Sequence, residues 1–97
     1  MRPSVAIAKH ADRVREILAR FSMGNPKVFG SAARGEDKDG SDLDLLVEAP
    51  SGTTFYDLAR VELELEDILG CKVEVLTKAS LAPDVAENAE ADLAPVP

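Results

Sequence analysis

Between Ser4 and Phe21 the apolar residues Ile7, Ala11, Val14, Ile17, Leu18 and Phe21 recur at spacings of three and four. That period predicts one amphipathic helix, with Ser4 placed to cap it. Gly24, Asn25 and Pro26 stop the helix and turn the chain, and Lys27, Val28 and Phe29 begin a short strand aimed at Gly30 and Ser31. Ala32 to Ser41 has no apolar period and reads as a connection with one helical turn near its start. From Asp42 to Glu48 the period becomes two, which predicts a strand with Asp42, Asp44 and Leu46 on one face and Leu43, Leu45 and Val47 on the other.

Pro50, Ser51 and Gly52 form a loop, after which Thr54 and Asp57 have capping-box spacing. The helix they open turns Leu58, Val61, Leu65, Ile68 and Leu69 inward and ends at Gly70, leaving Glu62, Glu64, Glu66 and Asp67 as a solvated face. Lys72 to Leu76 is a third strand. A strand, helix, strand unit of this length favours a parallel, right-handed crossover, so the second and third strands are expected side by side. The segment from Ser80 is Ala-rich and acidic, with Pro83 suited to the first turn of a last short helix and a loose tail from about residue 91. The pattern is that of a single α/β domain over residues 1–97, a small mixed sheet with helices packed on it.

Composition narrows the class of partner. With 18 acidic against 11 basic residues the formal net charge is -7, which repels a phosphate backbone, so direct nucleic-acid binding is not expected. A basic protein partner suits that surface. Cys71 is the single cysteine, so no intrachain disulfide forms, and its expected role is that of a small buried apolar group. Lys9, His10, Asp12 and Arg13 interrupt the first segment too early for a signal peptide, and no apolar run has the length of a membrane span. A cytoplasmic protein without a membrane segment is the expectation.

The candidate chemistry lies in the acidic strand positions. Two aspartates at i and i+2 on one strand project the same way, with roots about 6.6–6.8 Å apart. Ionised carboxylates held close repel, and a cation between them removes that cost. Magnesium suits them, because it prefers hard oxygen ligands and combines one or two carboxylates with substrate phosphates. Glu74 is the candidate third carboxylate, since it stands between Val73 and Val75 in the middle of an apolar strand. Period-two alternation turns it toward Asp42 and Asp44 in one register and into water in another, and the register is not readable from sequence. Gly30 lets a backbone amide approach a phosphate, Ser31 offers a hydroxyl, and Arg34 lies one turn on to neutralise triphosphate charge.

Gly30-Ser31, ten residues, then Asp42-Leu43-Asp44 resembles the GS-x10-DxD signature of the DNA polymerase beta nucleotidyltransferase superfamily. The flanks Val28-Phe29 and Ala32-Ala33-Arg34-Gly35, and Ser41 and Leu45 around the aspartates, agree with it. Four fixed residues at this spacing arise by chance in about one chain per thousand of this length. The small size is similar to that of the minimal nucleotidyltransferase (MNT) domains that act as antitoxins beside HEPN ribonuclease toxins. The resemblance implies the nucleotidyltransferase fold, two magnesium ions, ATP as substrate, and transfer of AMP to a tyrosine hydroxyl of a partner HEPN toxin in a hetero-oligomer. It also implies that Gly30 and Ser31 hold the triphosphate, that Asp42, Asp44 and Glu74 bind metal, and that Glu74 helps activate the acceptor hydroxyl. The family more often has Asp at that last position.

Blander readings stand beside these. Asp37, Asp39, Ser41 and Glu48 have the offsets of calcium-loop ligands, but the glycine such a loop needs is Asp42. His10 belongs to the exposed or partly exposed side of the first helix and carries no expected catalytic role. A second function class is a binding module that neutralises a toxin by occluding it, motivated by the acidic surface and by Glu74. A third is transfer to a small molecule or an RNA end, which the absence of a second substrate-binding domain disfavours.

Overall fold

The computed structural model describes residues 1–77 and 94–96. The expected final helix at Pro83 lies outside the described residues. Along the chain come α1 (Pro3–Lys9), α2 (Ala11–Arg20), β1 (Gly24–Phe29), α3 (Ser31–Arg34), β2 (Leu43–Glu48), α4 (Phe55–Leu69), β3 (Val73–Leu76) and β4 (Ala94–Pro95). The sheet order is β3-β2-β1-β4. β2 and β3 run parallel, as the α4 crossover requires, while β1 is antiparallel to both β2 and β4. The small mixed sheet with packed helices is therefore present.

Period-two alternation decides which sheet face is covered. Leu43, Leu45 and Val47 of β2 and Val73 and Val75 of β3 are buried, and they join Val14, Ile17 and Leu18 of α2 and Val61, Leu65 and Leu69 of α4 in one core. Each fully buried Leu or Ile contributes about 1.5–3 kcal/mol of apolar burial. The interleaved Asp44 and Glu74 occupy the other face.

α4 follows its local code. Thr54 N–H donates to Asp57 Oδ2 at 3.0 Å and Asp57 N–H donates to Thr54 Oγ1 at 3.2 Å, closing the capping box. Gly70 ends the helix at φ 70°, where a side chain is disfavoured. Leu58, Val61, Leu65 and Leu69 are buried, with Ile68 packed against them.

The structure departs from the sequence reading in five places. The first helix is two: His10 leaves helical geometry at φ -112° and ψ 23° and serves both ends, with its N–H on Ala6 O and its carbonyl under Val14 N–H. The apolar period runs through the break and so conceals it. Ser4 is not the cap, because Arg2 precedes Pro3 at the first helical position and Ser4 turns to Asp37 instead. α2 ends before Gly24: Ser22 adopts φ 58° and Met23 N–H returns to Leu18 O at 2.9 Å, so the chain pairs again from Gly24. The acidic face of α4 is not wholly solvated, since Glu62 and Glu66 accept backbone hydrogen bonds from β3. Finally, residues 94–96, within the segment expected as a tail, return to the sheet. Ala94 and Pro95 pair with Val28 and Lys27, Val96 is buried, and Arg15 donates to Val96 O at 2.7 Å.

No helix among the described residues is long and apolar enough to cross a membrane.

Candidate active site

Three chain segments meet where β1 ends. Phe29 pairs with Asp44 across β1 and β2, which sets Gly30, the next residue, beside the Asp44 side chain. Gly30 has φ 74° and ψ -149°, a region open only to glycine. A Cβ added there would lie 3.0 Å from Asp44 Oδ2. Backbone conformation thus demands glycine, a Cβ would also press on the Asp44 carboxylate, and the chain turns at once into the single turn of α3, headed by Ser31.

Across the parallel pair, Asp44 stands opposite Glu74, which settles the register that sequence leaves open. The two carboxyl groups share a hydrogen bond. Asp44 is half-buried and its pKa is pushed up to about 6, first by burial, then by the Glu74 charge, by that hydrogen bond and by the Asp42 charge. Glu74 lies on an edge strand and is exposed. The alternatives of contact with Asp44 and exposure to water are both true of it.

Asp42 immediately precedes β2 and is exposed. It reaches the pair through its field, and among the described residues no three acidic, histidine or cysteine side chains stand in a finished metal shell. The donor set nevertheless fits magnesium. All its atoms are oxygens, they concentrate negative charge on one sheet face, and the Glu74 and Asp42 charges that add to burial in raising the Asp44 pKa are ones a divalent cation offsets. Arg34 is exposed and its Nε donates to Glu36 Oε2 at 3.1 Å. A surface ion pair of this kind is worth little.

The connection leading to Asp42 has an anchor the sequence reading missed. Asp37 is 2% exposed, and it accepts hydrogen bonds from Ser4 N–H at 2.8 Å and Ser4 Oγ at 2.9 Å. Burial pushes its carboxyl up, but the Ser4 backbone and side-chain bonds, its own amide and Arg2 outweigh that and leave the pKa below the usual value. No local signal marks Asp37, because its partner is 33 residues away. The same contacts dispose of a calcium loop: Asp37 serves Ser4, Ser41 Oγ accepts from Lys38 N–H, and Glu48 accepts from Asn25. Cys71 is half-buried against the core rather than fully enclosed.

A groove of about 940 Å³ lies further along the sheet, lined by Lys27, Leu46, Glu48, Phe55 and Thr77 among others. It includes none of the three carboxylates. Leu46, two residues beyond Asp44, is where groove and acidic face adjoin. The groove lining includes one carboxylate, Glu48, whereas the acidic face gathers Asp42, Glu74 and Asp44, the last with its raised pKa.

A parallel strand pair bearing facing carboxylates is thus set against a strand that ends in a glycine-serine turn. The sequence profile of the nucleotidyltransferase domain matches residues 9–94, and the chain belongs to that family. A relative from Methanocaldococcus jannaschii, provisionally named a protein adenylyltransferase, is 42% identical over 71 residues, which span 73% of this chain and 76% of the relative. The protein adenylyltransferase MntA of Thermococcus cleftensis is 36% identical over 74 residues, 76% of this chain and 75% of that one. A solved structure provisionally named a minimal nucleotidyltransferase superposes with a TM-score of 0.81 at 38% identity, covering 98% of this chain and 96% of the other. A toxin-antitoxin crystal structure with AMP-PNP shares the fold alone, with a TM-score of 0.78 at 16% identity over 88% of this chain and 70% of the other.

Proposed function

We propose that this chain is an antitoxin that transfers AMP from ATP to a tyrosine hydroxyl of a partner HEPN-type ribonuclease toxin and so silences it. The observation that carries the reading is the facing pair Asp44 and Glu74 beside Gly30. The names of the M. jannaschii and T. cleftensis relatives support a protein acceptor, and the net charge of -7 favours a basic partner over nucleic acid.

In this reading Gly30 and Ser31 hold the triphosphate, the first by leaving its backbone accessible and the second through its hydroxyl. Arg34, one turn on from Gly30, is the group assigned to neutralise phosphate charge. Asp42, Asp44 and Glu74 are the residues that would hold two magnesium ions, which would supply charge neutralisation at the phosphates. The Glu74 carboxylate takes the proton of the acceptor hydroxyl as that oxygen bonds to the α-phosphorus. The bond from the α-phosphorus to its bridging oxygen breaks, and pyrophosphate leaves with the electron pair. The groove adjoining Leu46 gives an acceptor segment room to approach.

The direct test follows label from α-labelled ATP to the co-expressed toxin in the presence of magnesium. Transfer is expected from the wild type and not from Asp42→Ala/Asp44→Ala, and equal labelling by both ends the proposal. A second reading, neutralisation by occlusion without transfer, is favoured by the acidic surface and by the exposed Phe55 and Tyr56. Under occlusion the double variant still protects cells from the toxin. Lost protection with the complex intact rejects it.

A further inference from the structure

We propose that Glu62 and Glu66 of α4 are positioning residues for Glu74: by holding the backbone amides on either side of it, they keep the edge strand in the register that brings Glu74 to Asp44. The inference rests on the reading that Glu74 belongs to the metal-binding carboxylates.

β3 is an edge strand of only four residues, with β2 on one side. Its amides alternate in direction, so those of Val73 and Val75 face away from β2, where an edge strand ordinarily meets water. Here they meet carboxylates. Val73 N–H donates to Glu66 Oε2 at 3.1 Å and Val75 N–H donates to Glu62 Oε2 at 2.9 Å. Glu62 and Glu66 are one helical turn apart, and that spacing reaches amides two residues apart on a strand. Both side chains are half-buried. The residue bracketed by the two bonds is Glu74, itself exposed and opposite Asp44.

The arrangement answers a mechanical difficulty. A carboxylate on a short edge strand is displaced by charge repulsion from Asp44 before a cation arrives. A strand tied only on its β2 side frays easily. Charge-assisted bonds to the outer amides are stronger than neutral ones and tie the strand on both sides. Supports of this kind, one step removed from the ligand, change metal affinity by about 10–100-fold when removed.

The test uses the full chain, with Mn²⁺ as a spectroscopic probe and α,β-methylene ATP, whose α–β bridge is not cleaved. Five proteins are compared: wild type, Glu62→Ala/Glu66→Ala, Glu62→Gln/Glu66→Gln, Glu74→Ala, and the triple alanine variant. The alanine pair is expected to weaken Mn²⁺ binding about tenfold and to speed amide exchange at Val73 and Val75. The glutamine pair is expected to restore binding, because its side-chain oxygens still accept the amides. The triple variant is expected to match Glu74→Ala alone, since residues acting through one ligand do not add.

A folded alanine pair with wild-type affinity overturns the proposal, as does a loss that adds to that of Glu74→Ala. If the alanine pair does not fold, Glu62→Ala, which keeps the Glu66 bond, decides by the same measurement. Unchanged Mn²⁺ binding in Glu74→Ala overturns the functional reading and this proposal together. Weakened binding in Glu74→Ala beside an unaffected alanine pair overturns the proposal alone.

Discussion

Asp44 and Glu74 face one another across the parallel strands β2 and β3, close enough to share a hydrogen bond, and the Asp44 carboxyl is held at a pKa of about 6. Burial first, and the Glu74 and Asp42 charges after it, make the charged form of Asp44 costly to the fold, and a bound cation offsets that cost.

The first prediction concerns that cost. The folded pKa of Asp44 lies above its ordinary 3.8, so the folded state binds more protons between about pH 4 and 6. The metal-free protein therefore loses stability as pH rises through that window. Asp44→Asn removes the effect. Its melting temperature is expected to equal that of the wild type near pH 4 and to exceed it above pH 6, with the advantage shrinking when magnesium is added. Thermal melts across pH, with and without the ion, check this, and a wild type that is the more stable at pH 7 without metal contradicts it.

Gly30→Ala introduces a methyl group 3.0 Å from Asp44 Oδ2 and forces a side chain into φ 74°, ψ -149°. Strain of this type costs about 1–3 kcal/mol. Denaturant unfolding is expected to show that loss, and AMP transfer is expected to fall further than stability, because relief of the strain displaces Asp44.

Asp37→Asn weakens the two bonds from Ser4 that anchor the connection ahead of Asp42. A cost of about 1–3 kcal/mol at pH 7 is expected for the loss of a buried charged acceptor. The folded pKa of Asp37 lies below 3.8, so its contribution is present above that value and disappears as pH falls through the folded pKa. Acid titration followed by circular dichroism is expected to show a shallower decline for the variant than for the wild type.

Cys71 has its thiol pKa raised, by burial first and then by the charges of Glu66 and Asp42. Thiolate is the reactive form. Alkylation by iodoacetamide at pH 8 is expected to proceed more slowly than for an unstructured peptide thiol, and to reach the peptide rate in denaturant.

Most of what was legible in the chain is local. The Thr54 and Asp57 capping box, the arrest of α4 at Gly70, the alternation of Leu43, Leu45 and Val47, and the spacing from Gly30-Ser31 to Asp42-Leu43-Asp44 are each written within a few residues. The break at His10 was not legible, because an apolar stripe continues through a bend without a change of period. Nor were the contacts of Asp37 with Ser4, or of Glu62 and Glu66 with β3, since charged residues on a helix or in a loop look alike whether they meet water or a distant amide.

By itself, then, the sequence determined that α4, β2 and β3 form, which face of β2 is apolar, and which residues carry the nucleotidyltransferase spacing, since backbone propensity and side-chain period act over short range. Only the tertiary structure decided that Glu74 falls opposite Asp44, that Val96 returns to the core and that Asp37 is buried. Those outcomes depend on strand register and on packing between residues far apart in the chain, where a shift of one position exchanges a carboxylate for a valine.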